Sequence, residues 1–391
     1  MRVFLIAGEA SGDKLGAALM AGLKQLTTPT FSGVGGPLMQ AEGMQSLFPM
    51  DELSVMGIAE VLPKYRHLKR RIAQTAEAVL AASPDVLITI DSPDFCLRVA
   101  ALVKARSRVR TVHYVAPSVW AWRPGRAVKM ARVIDHVLAL LPFEPPLMRA
   151  AGMDCDFVGH PVVAEPLASE AEARDFRARH GIGDAPLLLA LPGSRRGEVA
   201  RLAPRFGAAL RQVMQARPET QPDLRVVIPT TANVAGLVRD QIADWPGAPL
   251  ILDPRDADPA AYLSEKRAAF RAADAALAAS GTVSLELAAS STPMVIAYDM
   301  NWISRFLIGR LLRIDTVTLV NLVTDSRAIP ECLGRDCTPE NIARALSAML
   351  AAPDSQYEVM RLAMERLGAG GEAPGLRAAR AVLERMPGRV G

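Results

Sequence analysis

Residues 3–14 read VFLIAGEASGDK: five uninterrupted apolar residues run into a turn of small residues that carries Glu9, Ser11 and Asp13. An apolar run without in/out alternation suits a strand covered on both faces, as in a parallel sheet. The segment that follows, Lys14–Gln25, has helical periodicity, so the stretch opens a strand–turn–helix unit. The same unit recurs downstream. Val86–Ile90, Thr111–Val115, Val137–Leu141, Leu187–Leu191, Leu224–Ile228 and Met294–Ala297 are further short runs rich in Val, Ile and Leu, separated by helix-like segments. Alternation of this kind predicts right-handed βαβ crossovers and an α/β fold.

The chain has 391 residues, enough for two or three domains. A break falls at Gly159-His160-Pro161, followed by the charge-mixed stretch Glu165–Arg179, after which the strand pattern restarts. The expected organisation is two Rossmann-like parallel-sheet domains, residues 1–165 and 166–345, facing a cleft. Helical residues 346–391 would return to the N-terminal domain. Ligands in open parallel sheets bind in the loops just beyond the strands, so those loops hold the candidate site.

Composition narrows the function. Forty-five basic side chains against forty-one acidic leave a net charge of only +4, which argues against a nucleic-acid partner. Cys96, Cys155, Cys332 and Cys337 lack CxxC spacing and have no His or Cys pair beside them, so reduced thiols are expected rather than disulfides or a metal centre. The N-terminal apolar run is too short for a signal sequence, and nothing approaches the ~18 apolar residues of a membrane span. The expectation is a soluble cytoplasmic protein, with attachment to a membrane surface left open.

The first loop, Gly8–Asp13, has neither GxGxxG nor GxxxxGK[ST] spacing, so it does not read as a dinucleotide or P-loop phosphate site. Ser11 or Asp13 as a helix cap is the plainer reading, but two acids exceed what a cap requires. The second loop, Asp91-Ser92-Pro93-Asp94-Phe95, places two carboxylates three residues apart, a pattern suited to general-base work. Capping accounts for Asp94 but not for Asp91. The third, His113-Tyr114-Val115-Ala116-Pro117-Ser118-Val119-Trp120-Ala121-Trp122-Arg123, concentrates aromatic and polar groups that suit a sugar or an acyl chain, or else belong to the core.

In the second half, Leu191-Pro192-Gly193-Ser194-Arg195 opens a helix and reads as a diphosphate cradle of backbone N–H groups, helix dipole and guanidinium. Ser280-Gly281-Thr282 opens another helix, with Glu286 placed to accept ribose hydroxyls or to sit solvated on its face. Asp256-Ala257-Asp258 matches the DxD pattern of metal-dependent glycosyltransferases, yet in a loop before a helix it reads as a cap.

Taken in order from residue 3 to about 335, these motifs resemble the lipid-A-disaccharide synthase family, the HYVAPSVWAWR stretch most specifically. Ser92 and Ala116 stand where the family pattern has Ala and Ser. Val320-Asn321-Leu322 replaces Leu-Pro-Asn while keeping the Asn, and Ile329-Pro330-Glu331 matches. The resemblance implies a GT-B glycosyltransferase that joins UDP-2,3-diacylglucosamine to 2,3-diacylglucosamine 1-phosphate with inversion, needing no cofactor and no metal. It implies Asp94 as general base with Asp91 next in line, and Glu9, Ser11 and Asp13 facing the acceptor or the leaving group. Gly193, Ser194 and Arg195 would hold the diphosphate, Glu286 the ribose, and Ser280, Gly281, Thr282 and Asn321 the nucleotide pocket. His113, Trp120 and Trp122 would face the acceptor.

A lipid substrate requires access to a bilayer. Val55–Arg71 is apolar, then basic, so Met56, Leu62, Lys69, Arg70 and Arg71 are expected at an inner-membrane surface, unless the stretch is an ordinary amphipathic helix. A homodimer is compatible with the sequence. The competing readings are another GT-B enzyme of UDP-sugars (a peptidoglycan glycosyltransferase or a UDP-sugar 2-epimerase) and a non-catalytic nucleotide-sugar or lipid binder. A Rossmann dehydrogenase is disfavoured, because no GxGxxG follows the first strand.

Overall fold

A computed structural model describes residues 1–53, 58–121, 125–218, 223–299 and 314–386, with the backbone alone for 58–65. The chain forms two compact units, one of Met1–Ala164 with Leu367–Gly391, the other of Glu165–Arg366.

The first unit alternates strand and helix: β1 (Arg2–Ala7), α1 (Ala10–Leu26), β2 (Thr30–Val34), α2 (Pro37–Ala41), β3 (Gln45–Ser46), α3 (Ile58–Ala82), β4 (Val86–Ile90), α4 (Pro93–Lys104), β5 (Arg110–Tyr114), α5 (Gly125–Met130), β6 (His136–Ala139), α6 (Pro145–Ala150) and β7 (Asp154–Phe157). Its sheet has the order β3-β2-β1-β4-β5-β6-β7, every pair parallel. Both faces are covered, which explains the unbroken apolar runs. Val3, Leu5, Ala7, Val86, Ile88 and Ile90 pack under α1 through Leu15, Leu19 and Leu23. Phe4, Ile6 and Leu87 face the other way, against Ile72, Ala76 and Val79 of α3 and Phe95, Val99 and Val103 of α4. Each buried Val, Leu, Ile or Phe among them contributes roughly 1.5–3 kcal/mol.

The second unit repeats the plan with α7 (Glu170–Arg179), β8 (Leu187–Leu191), α8 (Arg196–Ala216), β9 (Arg225–Pro229), α9 (Ala235–Gln241), β10 (Leu250–Leu252), α10 (Pro259–Ala272), β11 (Ala275–Ala279), α11 (Val283–Ala289), β12 (Met294–Tyr298), α12 (Leu319–Thr324), β13 (Glu331–Leu333), α13 (Pro339–Ala351) and α14 (Tyr357–Arg366). Its sheet order is β10-β9-β8-β11-β12-β13, again parallel throughout.

The return of the chain to the first unit begins at Leu367, not at the expected residue 346. The reason is packing: Ile342, Leu346 and Met349 of α13 are part of the second core, with Leu188, Leu277 and Phe206. Only α15 (Pro374–Glu384) lies on the first unit, beside α1. Glycines set that approach. A Cβ at Gly375 would stand 2.5 Å from the carbonyl oxygen of Ala18, and one at Gly22 would stand 2.6 Å from that of Gly375. Arg377 fixes the near end of the helix by donating to the Phe157 carbonyl (3.1 Å), and Arg385 grips Asp156 (3.1 Å) at the far end.

Because the obstacle at Gly375 is backbone, the single methyl of Gly375→Ala cannot be relieved by a rotamer change. The expected cost is about 1–3 kcal/mol, seen as a lower urea midpoint and faster proteolysis within the last 25 residues. An unchanged midpoint would show that the helix contact is looser than described.

Candidate functional site

In the first sheet β1 and β4 are neighbours, but the chain leaves β1 toward β2 on one side and leaves β4 toward β5 on the other. Their outgoing loops therefore diverge and open a crevice at the carboxyl edge. β8 and β11 stand in the same relation in the second sheet. The loops that carry the candidate residues lie at these two switch points.

At the first, the loops touch. A Cβ on Gly8 would stand 2.5 Å from Ser92 Oγ and 3.0 Å from Ser92 Cβ, so only glycine lets the end of β1 approach the end of β4 this closely. Glu9 follows as the residue before α1, half-buried and extended (φ −147°), and Ser11 is exposed in the first turn. On the facing loop Asp91 and Ser92 are both left-handed, at φ +50° and +44°. Two such residues in succession cost on the order of 1–3 kcal/mol each. They are held by the Asp91 amide donating to the Tyr114 carbonyl (3.0 Å), and by the Phe95 and Cys96 amides donating to the Ser92 carbonyl (3.1 and 3.0 Å). The turn leaves Asp91 half-buried and Asp94 exposed in the first turn of α4, where the helix dipole favours a negative charge. The structure thus brings Glu9, Ser11, Asp91 and Asp94 to one switch point.

Asp13 departs from the expectation. It is buried, and its two oxygens accept the amides of Gly36 (2.9 Å), Leu38 (3.0 Å) and Met39 (3.0 Å). It therefore caps α2 from across the fold and does not face a substrate. His113 also departs: inside β5 it is buried and shares a 2.7 Å hydrogen bond with Thr89, and burial pushes its pKa down to about 4. The expected strand end at Val115 falls one residue earlier, since Val115 has φ +87°, a position that a β-branched residue occupies only under strain.

Trp120 is half-buried, its ring edge-on to Phe143 (centroids 5.4 Å apart, 85° between planes), and its Nε1–H donates to Glu144 Oε1 (3.3 Å). Trp122 and Met56 lie outside the described residues, as does the side chain of Leu62. Lys69 and Arg70 are exposed. Arg71 is not free for a membrane: Nε and Nη2 each meet the Glu52 carboxylate at 2.7 Å, and its guanidinium lies over the Phe48 ring at 4.3 Å.

At the second switch point Gly193 has φ +118°, and a Cβ there would stand 2.7 Å from Glu198 Cβ. Ser194 is exposed, and its carbonyl accepts from Asn233 Nδ2 (2.9 Å). Arg195 leads into α8 with its side chain 66% exposed, and its Nη1 donates to the buried Glu198 (2.9 Å). Across the crevice Ser280 is half-buried, Gly281 and Thr282 are exposed, and Glu286 pairs with Lys266 Nζ at 2.6 Å. Asn321 again departs from the expectation. It is fully buried, its Nδ2 donating to the Ile329 carbonyl (2.9 Å) and its Oδ1 accepting the Ile329 amide (3.0 Å), so it ties down the 316–329 segment instead of lining a pocket. Asp258 caps α10 by accepting the Ala260 amide (2.9 Å). No group of three or more His, Cys, Asp or Glu placed to hold a metal occurs among the described residues. All four cysteines are free thiols in buried positions.

Three acids have roles that the sequence reading did not assign. Glu144 is buried, and burial pushes its pKa up to about 7. Glu198 supports Arg195 from one turn on, a spacing readable as an i,i+3 pair. Glu331 accepts the amides of Val317 (2.9 Å) and Thr318 (2.7 Å), holding the start of α12.

Two outcomes follow from this geometry. Gly8→Ala is expected to cost about 1–3 kcal/mol through collision with Ser92, and Ser92→Gly in the same chain to recover most of it. Additive losses in that double-mutant cycle would deny the contact. The second concerns acid. His113 and His160 are both held by burial at about 4 against an ordinary 6.5. The unfolded chain therefore takes protons first, so their contribution is complete above about pH 6.5 and lost as pH falls through about 4. Urea unfolding of wild type should lose a few kcal/mol more across that window than His113→Asn does, and parallel curves would refute it.

Comparison with known proteins agrees with the loops. Residues 3–373 match the family model described as lipid-A-disaccharide synthetase. The chain is 67% identical over 389 residues to the lipid-A-disaccharide synthase of Ruegeria pomeroyi, covering 99% of this chain and 96% of that one. It is 48% identical to the enzyme of the same name from Rhodospirillum centenum, covering 99% and 95%. Among solved structures, UDP-GlcNAc 2-epimerase from Neisseria meningitidis bound to UDP-GlcNAc matches with a TM-score of 0.65 at 13% identity, over 98% of this chain and 99% of that one. The Methanocaldococcus jannaschii UDP-GlcNAc 2-epimerase in complex with UDP-GlcNAc and UDP matches at 0.61 and 13%, over 98% and 100%. At that identity the likeness is one of fold alone, the GT-B arrangement of two parallel-sheet α/β domains. By its sequence this chain belongs to the lipid-A-disaccharide synthase family.

Proposed function

We propose that the chain is an inverting glycosyltransferase of lipid A biosynthesis. It joins UDP-2,3-diacylglucosamine to 2,3-diacylglucosamine 1-phosphate, forming a β-1′,6-linked tetraacyl disaccharide phosphate and releasing UDP. Membership of the family across residues 3–373 carries the activity. The contact between Gly8 and Ser92, which gathers Glu9, Asp91 and Asp94 at one switch point, supports the assignment of roles.

The donor sugar is α-linked to its diphosphate and the product is β-linked, so the acceptor must attack from the face opposite the leaving group. The 6-hydroxyl oxygen bonds to the anomeric carbon as its proton passes to the Asp94 carboxylate, with Asp91 the alternative base. The bond from the anomeric carbon to the diphosphate oxygen breaks, and its electron pair leaves on UDP. Negative charge grows on that diphosphate, and the amides at the start of α8 together with Arg195 receive it. The Arg195–Glu198 bond engages one nitrogen and leaves other guanidinium donors for phosphate oxygens. Glu286, steadied by Lys266, binds the ribose hydroxyls, and the Ser280–Thr282 turn borders the nucleotide. This chemistry calls for no metal. On this reading the first unit receives the acceptor and the second the UDP-sugar.

Access to acylated substrates places the protein at the cytoplasmic face of the inner membrane. No helix among the described residues is long and apolar enough to cross a bilayer. Exposed Lys69 and Arg70 would each add about 1 kcal/mol on an anionic surface.

The direct test supplies both lipid sugars to the purified protein in the presence of a chelator and follows UDP and disaccharide together. Equimolar formation of the two is expected. UDP-sugar epimerisation without disaccharide would overturn the reading. Asp94→Ala is expected to slow turnover by about 10²–10⁴-fold with UDP affinity unchanged; retained turnover would pass the base role to Asp91.

A further inference from the structure

The loops after β5 and β6 meet through one carboxylate that the reaction above does not use. Glu144 lies in the turn leaving β6, buried, with Oε2 accepting the Leu141 amide (3.0 Å) and Oε1 accepting the indole N–H of Trp120 (3.3 Å). Phe143, the residue before it, meets the edge of the same indole. Trp120 belongs to the loop that leaves β5 through the strained Val115, and β5 is the neighbour of β4, whose end carries Asp91 and Asp94. The loop after β5, the strand beside the one that ends in those acids, therefore carries an aromatic ring whose indole N–H is held by a buried acid.

We propose that Glu144 is a positioning residue for the acceptor sugar: its ionised carboxylate fixes the Trp120 ring as a wall of the acceptor site, and protonation loosens that wall. The proposal rests on the assignment of the first unit to the acceptor. A charged acceptor of an N–H bond is roughly twice as strong as a neutral one, so protonation weakens the hold on Trp120 without removing it. Burial raises this carboxyl to about 7, so its charge changes near neutral pH.

The groups around it behave differently. Cys155 on β7 is pushed up to about 12, by burial first and then by the charges of Glu144 and Asp156 against those of Arg149 and Arg385, and stays a thiol. Asp156, hydrogen-bonded to His136 and Arg385, is held down at about 2 and stays charged. His113 on β5 is held at about 4 and stays neutral. His136 on β6 faces Asp156 (2.9 Å).

The test reads the ring directly. The chain has four tryptophans, so the indole ¹H–¹⁵N signals are few, and Trp120→Phe identifies the one of interest. In the wild-type protein that signal is expected to shift with a midpoint near 7 and in Glu144→Gln to stay flat, which separates Glu144 from any contribution of His136. In parallel, the acceptor KM is measured from about pH 6 to 8.5 for both proteins. Titration of the acceptor's own phosphate is common to the two, so the ratio of their KM values isolates Glu144. The neutral amide mimics the protonated acid. That ratio should be near one at the acid end and about five-fold at the alkaline end, with donor KM unaffected. A flat ratio, an indole signal that does not titrate, or one that titrates equally in Glu144→Gln each overturns the proposal. Absence of disaccharide from both proteins would instead strike at the assigned reaction, and the indole titration of wild type against Glu144→Gln, which needs no substrate, would still judge whether Glu144 holds the ring.

Discussion

Parallel pairing of β1 with β4, and of β8 with β11, is the constraint on which the rest depends. In each pair the chain leaves the two strands toward opposite sides of the sheet, so the two carboxyl-end loops cannot lie over one another and must part. The crevice that results needs no sequence signal of its own, because topology creates it. Sequence decides what stands at its edge. In the first unit that choice is Gly8 against a left-handed Asp91-Ser92 pair, an arrangement that stores strain and is held by three backbone hydrogen bonds. Strain placed there orients side chains that would otherwise follow the strand direction into the sheet.

Exposure then sorts the polar residues of these loops into two kinds. Asp94, Ser11, Arg195 and Thr282 stand open at the switch points. Asp13, His113 and Asn321 occupy similar positions in the sequence, yet their polar atoms are already engaged inside the protein. A buried polar group must be bonded to be tolerated, and a carboxylate that accepts three amides has little capacity left for a ligand. Substituting such residues would therefore impair activity through the fold, and loss of activity alone would not separate them from the groups that touch substrate.

Much of this was legible in sequence, for a physical reason. β1, β4, β8 and β12 are runs of large apolar residues covered on both faces, so their composition betrays them. β11 reads Ala-Ala-Leu-Ala-Ala, which looks helical by propensity; it is a fully buried strand because parallel pairing with β8 and β12 overrides that preference. β3, β10 and β13 have two or three residues each, too few for any periodicity. The loops were readable because they directly follow readable strands. Asp13 was misread because its partners, Gly36, Leu38 and Met39, come from another helix more than twenty residues on. Lys266, the partner of Glu286, is equally remote. Sequence spacing reports neighbours along one element, whereas these contacts are made between elements.

Three acids outside the site loops share a task. Glu198 holds Arg195, Glu144 holds Trp120, and Glu331 holds the amides that begin α12. In each case a carboxylate that is wholly or partly buried binds a donor on a loop or at a helix start, so part of the cost of ordering that segment is met on folding and not on binding. The partners differ in what a change of charge would do. Arg195 keeps its own charge whatever becomes of Glu198, and the helix amides beside it remain. The Trp120 side chain has one polar atom, and Glu144 accepts its N–H while Phe143 meets the ring edge. On the role proposed for Glu144, a change of charge near neutral pH therefore acts where an aromatic ring, rather than a cation, is being held.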